Sequence, residues 1–219
     1  LDEMLLRALI MLCCVGVLTS SAALFVQEYR VAFLLQGTTN DQIAYLGDAN
    51  YVPVSAASAR TLRDLVSSCA KLTLLAPALK ADHALAQIIK GRCADLAADI
   101  LATSPANARA RALALLMDPK FSAADLAIAQ KLAPYEPWPL ATRLSAIAAS
   151  ANLDAASEAL AKTDFARALQ SFWGRTEMVK LYSEKPALRP VIQDALTAIA
   201  PTEQANFIRL VRQTLAGAV

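Results

Sequence analysis

A single histidine, His83, stands in the 219 residues, which removes most metal sites and most imidazole acid–base chemistry before any motif is sought. Its neighbour Asp82 and the distant Cys93 match no common zinc spacing, so it reads as a first-turn helix residue. Glycine is scarce, at six, and no glycine-rich loop of the kind that cradles phosphate occurs. No serine lies in a Gly-x-Ser-x-Gly turn, and any serine triad would have to use His83, so hydrolase chemistry is not expected. Charge is low as well, at 18%, with 21 Lys+Arg against 19 Asp+Glu and a net charge of +2. That balance makes no field able to collect a phosphate backbone, so nucleic acid is not an expected partner. Neither a cofactor nor a small-molecule substrate is expected, and the chain is not read as an enzyme.

What the chain has in excess is apolar residues, 56% by count, against about 45–50% in an ordinary soluble domain with about 25% charge. Some of that surface must face something other than the protein's own core. The excess gathers at the start, where residues 8–26 (ALIMLCCVGVLTSSAALFV) carry no charge between Arg7 and the Gln27, Glu28, Arg30 flank. As a helix rising about 1.5 Å per residue this run covers about 28 Å, the thickness of a bilayer's hydrocarbon. A secretory signal is the competing reading, with Ser20 to Ala23 as the cleavage region. The run exceeds the usual signal core, which favours a retained anchor. Gly16, Ser20 and Ala23 are small enough to let another helix approach in the bilayer. Cys13 and Cys14 read as small apolar fillers, since Leu12 stands where a lipidated cysteine needs a small residue. Tyr29 and the second apolar patch to Leu35 read as interfacial. With few cations on either side, the expected orientation is a short N-terminus inside and the bulk outside, in a bacterial cell the periplasm.

Three segments follow from this reading: an anchor and interfacial segment at 1–35, a linker at 36–58 dense in turn formers, and a helical-repeat domain at 59–219. In the last, apolar residues recur three and four apart with almost no β-branched runs, which predicts an all-α fold. Leu62, Leu65, Val66, Cys69 and Leu72 make the stripe of a first helix that Pro77 interrupts, and Leu85, Ile89, Cys93, Leu96 and Ile100 that of a second, capped by Asp82. Further helices are predicted at 107–117, 123–132, 138–150, 155–162, 165–182, 187–200 and 202–216. In an antiparallel hairpin opposed residues have a constant index sum, and Cys69 and Cys93 place the midpoint at 81, within the predicted turn. They are therefore either a disulfide, which suits an oxidising compartment, or two buried thiols.

Residues 133–143 (APYEPWPLATR) are the most distinctive local text. Prolines hold Tyr135 and Trp138 in a stiff turn with little entropy left to lose, so both suit a docking spot for another protein. Arg143 further along is the candidate partner for an acidic group. The other reading of the turn is a plug, with Trp138 buried by the next hairpin.

Residues 97–116 (AADILATSPANARARALALL) and 127–147 (AIAQKLAPYEPWPLATRLSAI) share a helix, a proline-bearing turn and a second Ala/Leu helix, and Pro105 and Pro137 stand 32 positions apart. The pattern resembles degenerate tetratricopeptide repeats, whose period is about 34 residues. The resemblance implies a helical-hairpin solenoid over roughly residues 58–200, behind a single N-terminal transmembrane helix. In organisation the chain looks like accessory proteins of bacterial cell-envelope and exopolysaccharide assembly. The implied role is a non-enzymatic, single-pass scaffold that binds integral membrane or envelope protein subunits and membrane lipid. The alternative is an accessory structural subunit of an energy-transducing redox or light-harvesting membrane complex.

Overall fold

The computed structural model describes residues 2–48, 50, 58–75, 83–150 and 153–216. Among them are eleven α-helices, one short 3-10 turn and no strand, the all-α class that the Ala- and Leu-rich periodicity predicts. The chain divides into two compact units, Leu1–Arg92 and Cys93–Val219, so the expected domain start at residue 59 falls inside the first unit. The predicted turn around Pro77 and Asp82 lies outside the described residues.

The first unit is organised by α1, Asp2–Gln36. This segment contains no proline and only one glycine, Gly16, so nothing in it breaks the i to i−4 ladder. Its stretch Arg7–Val26 is long and apolar enough to cross a membrane, and none of that window is buried. Past it, the same helix turns to the protein: Val31 has no exposed surface, and α1 packs against α2, Thr39–Gly47, and α3, Ala59–Leu75. Glu28 fastens this packing. Its carboxylate accepts the Ser58 N–H at 2.6 Å and the Thr61 hydroxyl at 2.5 Å, just where Ser58 Oγ accepts the Thr61 N–H at 3.1 Å to cap α3.

Helix α2 corrects the expectation of a plain linker over 36–58. Thr38 and Asp41 form a capping box: the Asp41 carboxylate accepts the Thr38 N–H at 2.8 Å, and Thr38 Oγ1 accepts the Asp41 N–H at 3.3 Å. Two residues taken as turn formers thus start a helix. Its far end is held by Arg92 of α4, His83–Thr103, whose guanidinium donates to the carbonyls of Leu46 and, at 2.6 Å, Asp48. On α3 Leu65, Val66, Cys69 and Leu72 of the predicted stripe are buried, joined by Ala70, while Leu62 is only partly buried.

In the second unit the remainder of α4 leads into α5, Ala108–Met117, α6, Ala123–Leu132, α7, Pro137–Ala149, α8, Ala155–Leu169, α9, Phe172–Glu184, α10, Arg189–Leu196, and α11, Pro201–Ala216. Packing joins sequence neighbours and next neighbours alike: α5 with α6 and α7, α6 with α8, α8 with α9 and α10, and α9 with α11. The single helix predicted over 165–182 is two. Helix α8 stops at Leu169, and Ser171 caps α9 by accepting the Gly174 N–H at 3.0 Å. Gly174 permits the corner, because a Cβ there would fall 2.0 Å from the Ala168 carbonyl oxygen.

Gly174→Ala is therefore expected to force the α8–α9 backbone apart and lower stability by about 1–3 kcal/mol in denaturant unfolding. Gly91→Ala is the control: it lies inside α4 with open space around it, and it should raise stability by roughly 0.5–1 kcal/mol.

Two helix starts carry cap carboxyls that respond to acid. The Thr38 hydroxyl, followed by its backbone N–H, holds the Asp41 carboxyl below its ordinary value of 3.8. The Ser157 backbone N–H, followed by its hydroxyl, does the same for Asp154 at the start of α8. A carboxyl depressed on folding contributes fully above its unfolded value and is lost as pH falls through its folded value. The amides that these carboxylates accept, Thr38 and Ser157, should lose protection relative to their intrinsic exchange rates below about pH 4, ahead of amides in the middles of the same helices.

Candidate partner-binding surface

Helix α6 ends at Leu132, and the chain turns through residues 133–136 into α7, with Pro137 in its first turn, where a missing N–H costs little. Tyr135 at the tip of this turn is 72% exposed, and the Arg167 guanidinium lies 5.4 Å from its ring centroid. Trp138 is half-buried, with the Arg109 guanidinium 4.8 Å from its ring centroid. Both rings are thus braced by cation–π contacts from neighbouring helices.

Arg143 does not belong to this surface, which corrects its assignment as a partner contact. It is wholly buried, as is Asp164 of α8. Its Nε donates to Asp164 Oδ2 at 2.7 Å and its Nη2 to Oδ1 at 2.9 Å, a two-pronged pair. Its Nη1 donates to the Ala133 carbonyl at 3.0 Å and reaches that of Ala129 at 3.4 Å, so it also satisfies the open carbonyls at the end of α6. The physical reason is angular. Five residues past Trp138 is about 140° around a helix, so Arg143 falls on the inward stripe with Leu140, Leu144 and Ile147, all buried.

Asp164 repeats this on α8, between buried Ala161, Phe165 and Ala168. A charge of opposite sign on each of two apolar stripes was the readable signal for this pair. Arg167 approaches Asp164 Oδ1 at 3.4 Å, so one cluster runs from the core of the unit to the exposed ring of Tyr135. Gln130 adds a further tie, donating to the Leu160 carbonyl at 2.7 Å.

The other candidate residues are spread elsewhere. Gly16, Ser20 and Ala23 are exposed on α1, where Gly16 has no side chain near it. Thr19 turns its hydroxyl back onto the Val15 and Gly16 carbonyls at 2.9 and 3.0 Å, the usual way a hydroxyl is satisfied in an apolar helix. Cys13 and Cys14 are exposed free thiols. Cys69 and Cys93 are buried, and neither is a free thiol. His83 is exposed at the start of α4. Among the described residues no three His, Cys, Asp or Glu side chains gather to hold a metal ion. One open groove runs between α9 and α11, with Val179 and Leu210 among its lining residues.

No family model, curated protein or solved structure matches the chain.

Removing one member of the buried pair leaves the other charge uncompensated. Arg143→Met and Asp164→Leu are each expected to cost about 3–5 kcal/mol, while the double variant recovers most of the loss. A double-mutant cycle by denaturant unfolding checks this; additive losses would show that the two side chains do not act together.

Proposed function

We propose that the chain is a non-enzymatic, membrane-anchored scaffold, with α1 as its single span and the second unit as a helical-hairpin stack of tetratricopeptide-like kind that binds a partner subunit. The observation that carries the reading is the uncovered apolar surface of α1. Leu9, Met11, Leu12, Val15, Val17, Leu18 and Phe25 are all more than half exposed, which water penalises and a bilayer rewards. The stack is supported by the next-neighbour packing of α5 with α7, α6 with α8, α8 with α10 and α9 with α11, the pattern by which successive hairpins pile up.

Tyr135 is the anchor offered to the partner, with Trp138 beside it. Large exposed rings already held in place lose little entropy on binding. The bulk lies on the periplasmic side, an oxidising compartment that suits two cysteines, Cys69 and Cys93, that are not free thiols. The partner is an integral membrane or envelope protein of a cell-envelope assembly, exopolysaccharide biosynthesis or export being the nearest case by organisation.

Tyr135→Ala is expected to weaken the partner complex by about 2 kcal/mol or more and to leave the melting temperature unchanged. Purification of the full chain from membranes, with affinity and melting measured in parallel, tests this. Equal binding by the variant removes the ring from the interface, and a matching fall in melting temperature reassigns it to packing. Envelope-assembly enzymes as co-purifying proteins support the reading, whereas redox or light-harvesting subunits replace the assembly with an energy-transducing complex. Gly16→Leu should loosen a partner's span while the chain stays membrane-inserted. Non-reducing mass analysis should find the intact chain lighter by two hydrogens than its reduced form.

A further inference from the structure

The geometry points to the first turn of α3 as a lipid-headgroup contact: we infer that Arg60 and Arg63 rest on the phosphates of an anionic bilayer. This rests on the reading of α1 as a membrane span. The apolar stretch of α1 ends at Val26, and Glu28, two residues on, holds Ser58 and Thr61 through its carboxylate. Two residues of helix rise are about 3 Å, so α3 begins at the level where the span leaves the hydrocarbon.

Other side chains at that level suit an interface. Phe25 and Tyr29 lie one helical turn apart with stacked rings, centroids 6.3 Å apart, and both are well exposed, as interfacial aromatics are. Arg60 and Arg63 flank the Thr61 contact, and both are exposed. The pairing of Arg63 with Asp64, at 3.6 Å between half-exposed side chains, is of the solvated kind that contributes little. It leaves the guanidinium open to phosphate, which it grips in a fork. The occupant is fixed by position: a surface within one helix turn of the span's end meets headgroups before any soluble partner.

The full chain is reconstituted in nanodiscs of phosphatidylcholine alone and of phosphatidylcholine mixed with phosphatidylglycerol, and hydrogen exchange is followed at amides 60–63. Protection should be greater in the anionic discs by roughly fivefold per arginine, the effect one cation has near such a surface. The difference should vanish in the double variant R60Q/R63Q. Resistance to alkaline extraction is measured on the same samples. Wild type that is inserted yet exchanges equally in both lipids overturns the headgroup contact, as does a variant that keeps the difference. Wild type that is extracted by alkali overturns the span itself and this contact with it.

Discussion

Within the first unit no described residue covers the helical surface of Arg7–Val26, and that unit is arranged around this constraint. Apolar area left in water costs about 25 cal/mol per Å², so a helix of this length and composition calls for an apolar phase. What makes α1 more than a tether is its continuity. The helix runs without a break to Gln36, and its last turns carry Val31 into the core and Glu28 onto the start of α3. With no pivot between Val26 and Glu28, whatever holds the apolar stretch also orients α2 and α3. Helices α2 and α3 abut α1 directly instead of swinging on a linker.

The second unit depends on a different interaction, the pair of Arg143 and Asp164. Burying both charges is expensive, and the cost is met by two-pronged geometry and by the carbonyls of Ala129 and Ala133 that Arg143 also satisfies. Apolar side chains of similar volume would fill the same space with most of the stability kept. What the ions add is a fixed register: the end of α6, the middle of α7 and the end of α8 meet at one guanidinium, and Arg167 carries the cluster out to Tyr135. The exposed ring is thereby held by the core.

Much of the helical layout was legible in the residues. Periods of three and four placed Leu65, Val66, Cys69 and Leu72 on one buried face, and Ser122, Pro137, Asp154 and Pro201 stand at the starts of α6, α7, α8 and α11, whereas Asp164, which reads as a cap, is buried inside α8. Three features were not legible. Thr38 and Asp41 have the composition of a turn, and only their reciprocal hydrogen bonds make them a helix start. The break between Leu169 and Phe172 interrupts an apolar stripe that reads as continuous, because Gly174 signals close backbone approach only once Ala168 is known to lie against it. Arg143 was read by residue type near an aromatic turn, although its spacing with Leu140, Leu144 and Ile147 already placed it on the inner face. Periodicity reports which face a residue occupies; residue type alone led outward.

The central claim, that α1 lives in hydrocarbon, is tested most directly through Cys13 and Cys14, which lie midway along the uncovered stretch as free thiols. Cys69 and Cys93 are buried and carry no free thiol, so labelling of the unreduced chain reports on the span alone. A water-soluble maleimide is applied to opened membrane vesicles, reaching both faces, and then after solubilisation in denaturing detergent. The account predicts no labelling in the membrane and full labelling after denaturation. Rapid labelling of both thiols in the intact bilayer would place α1 in water and contradict it.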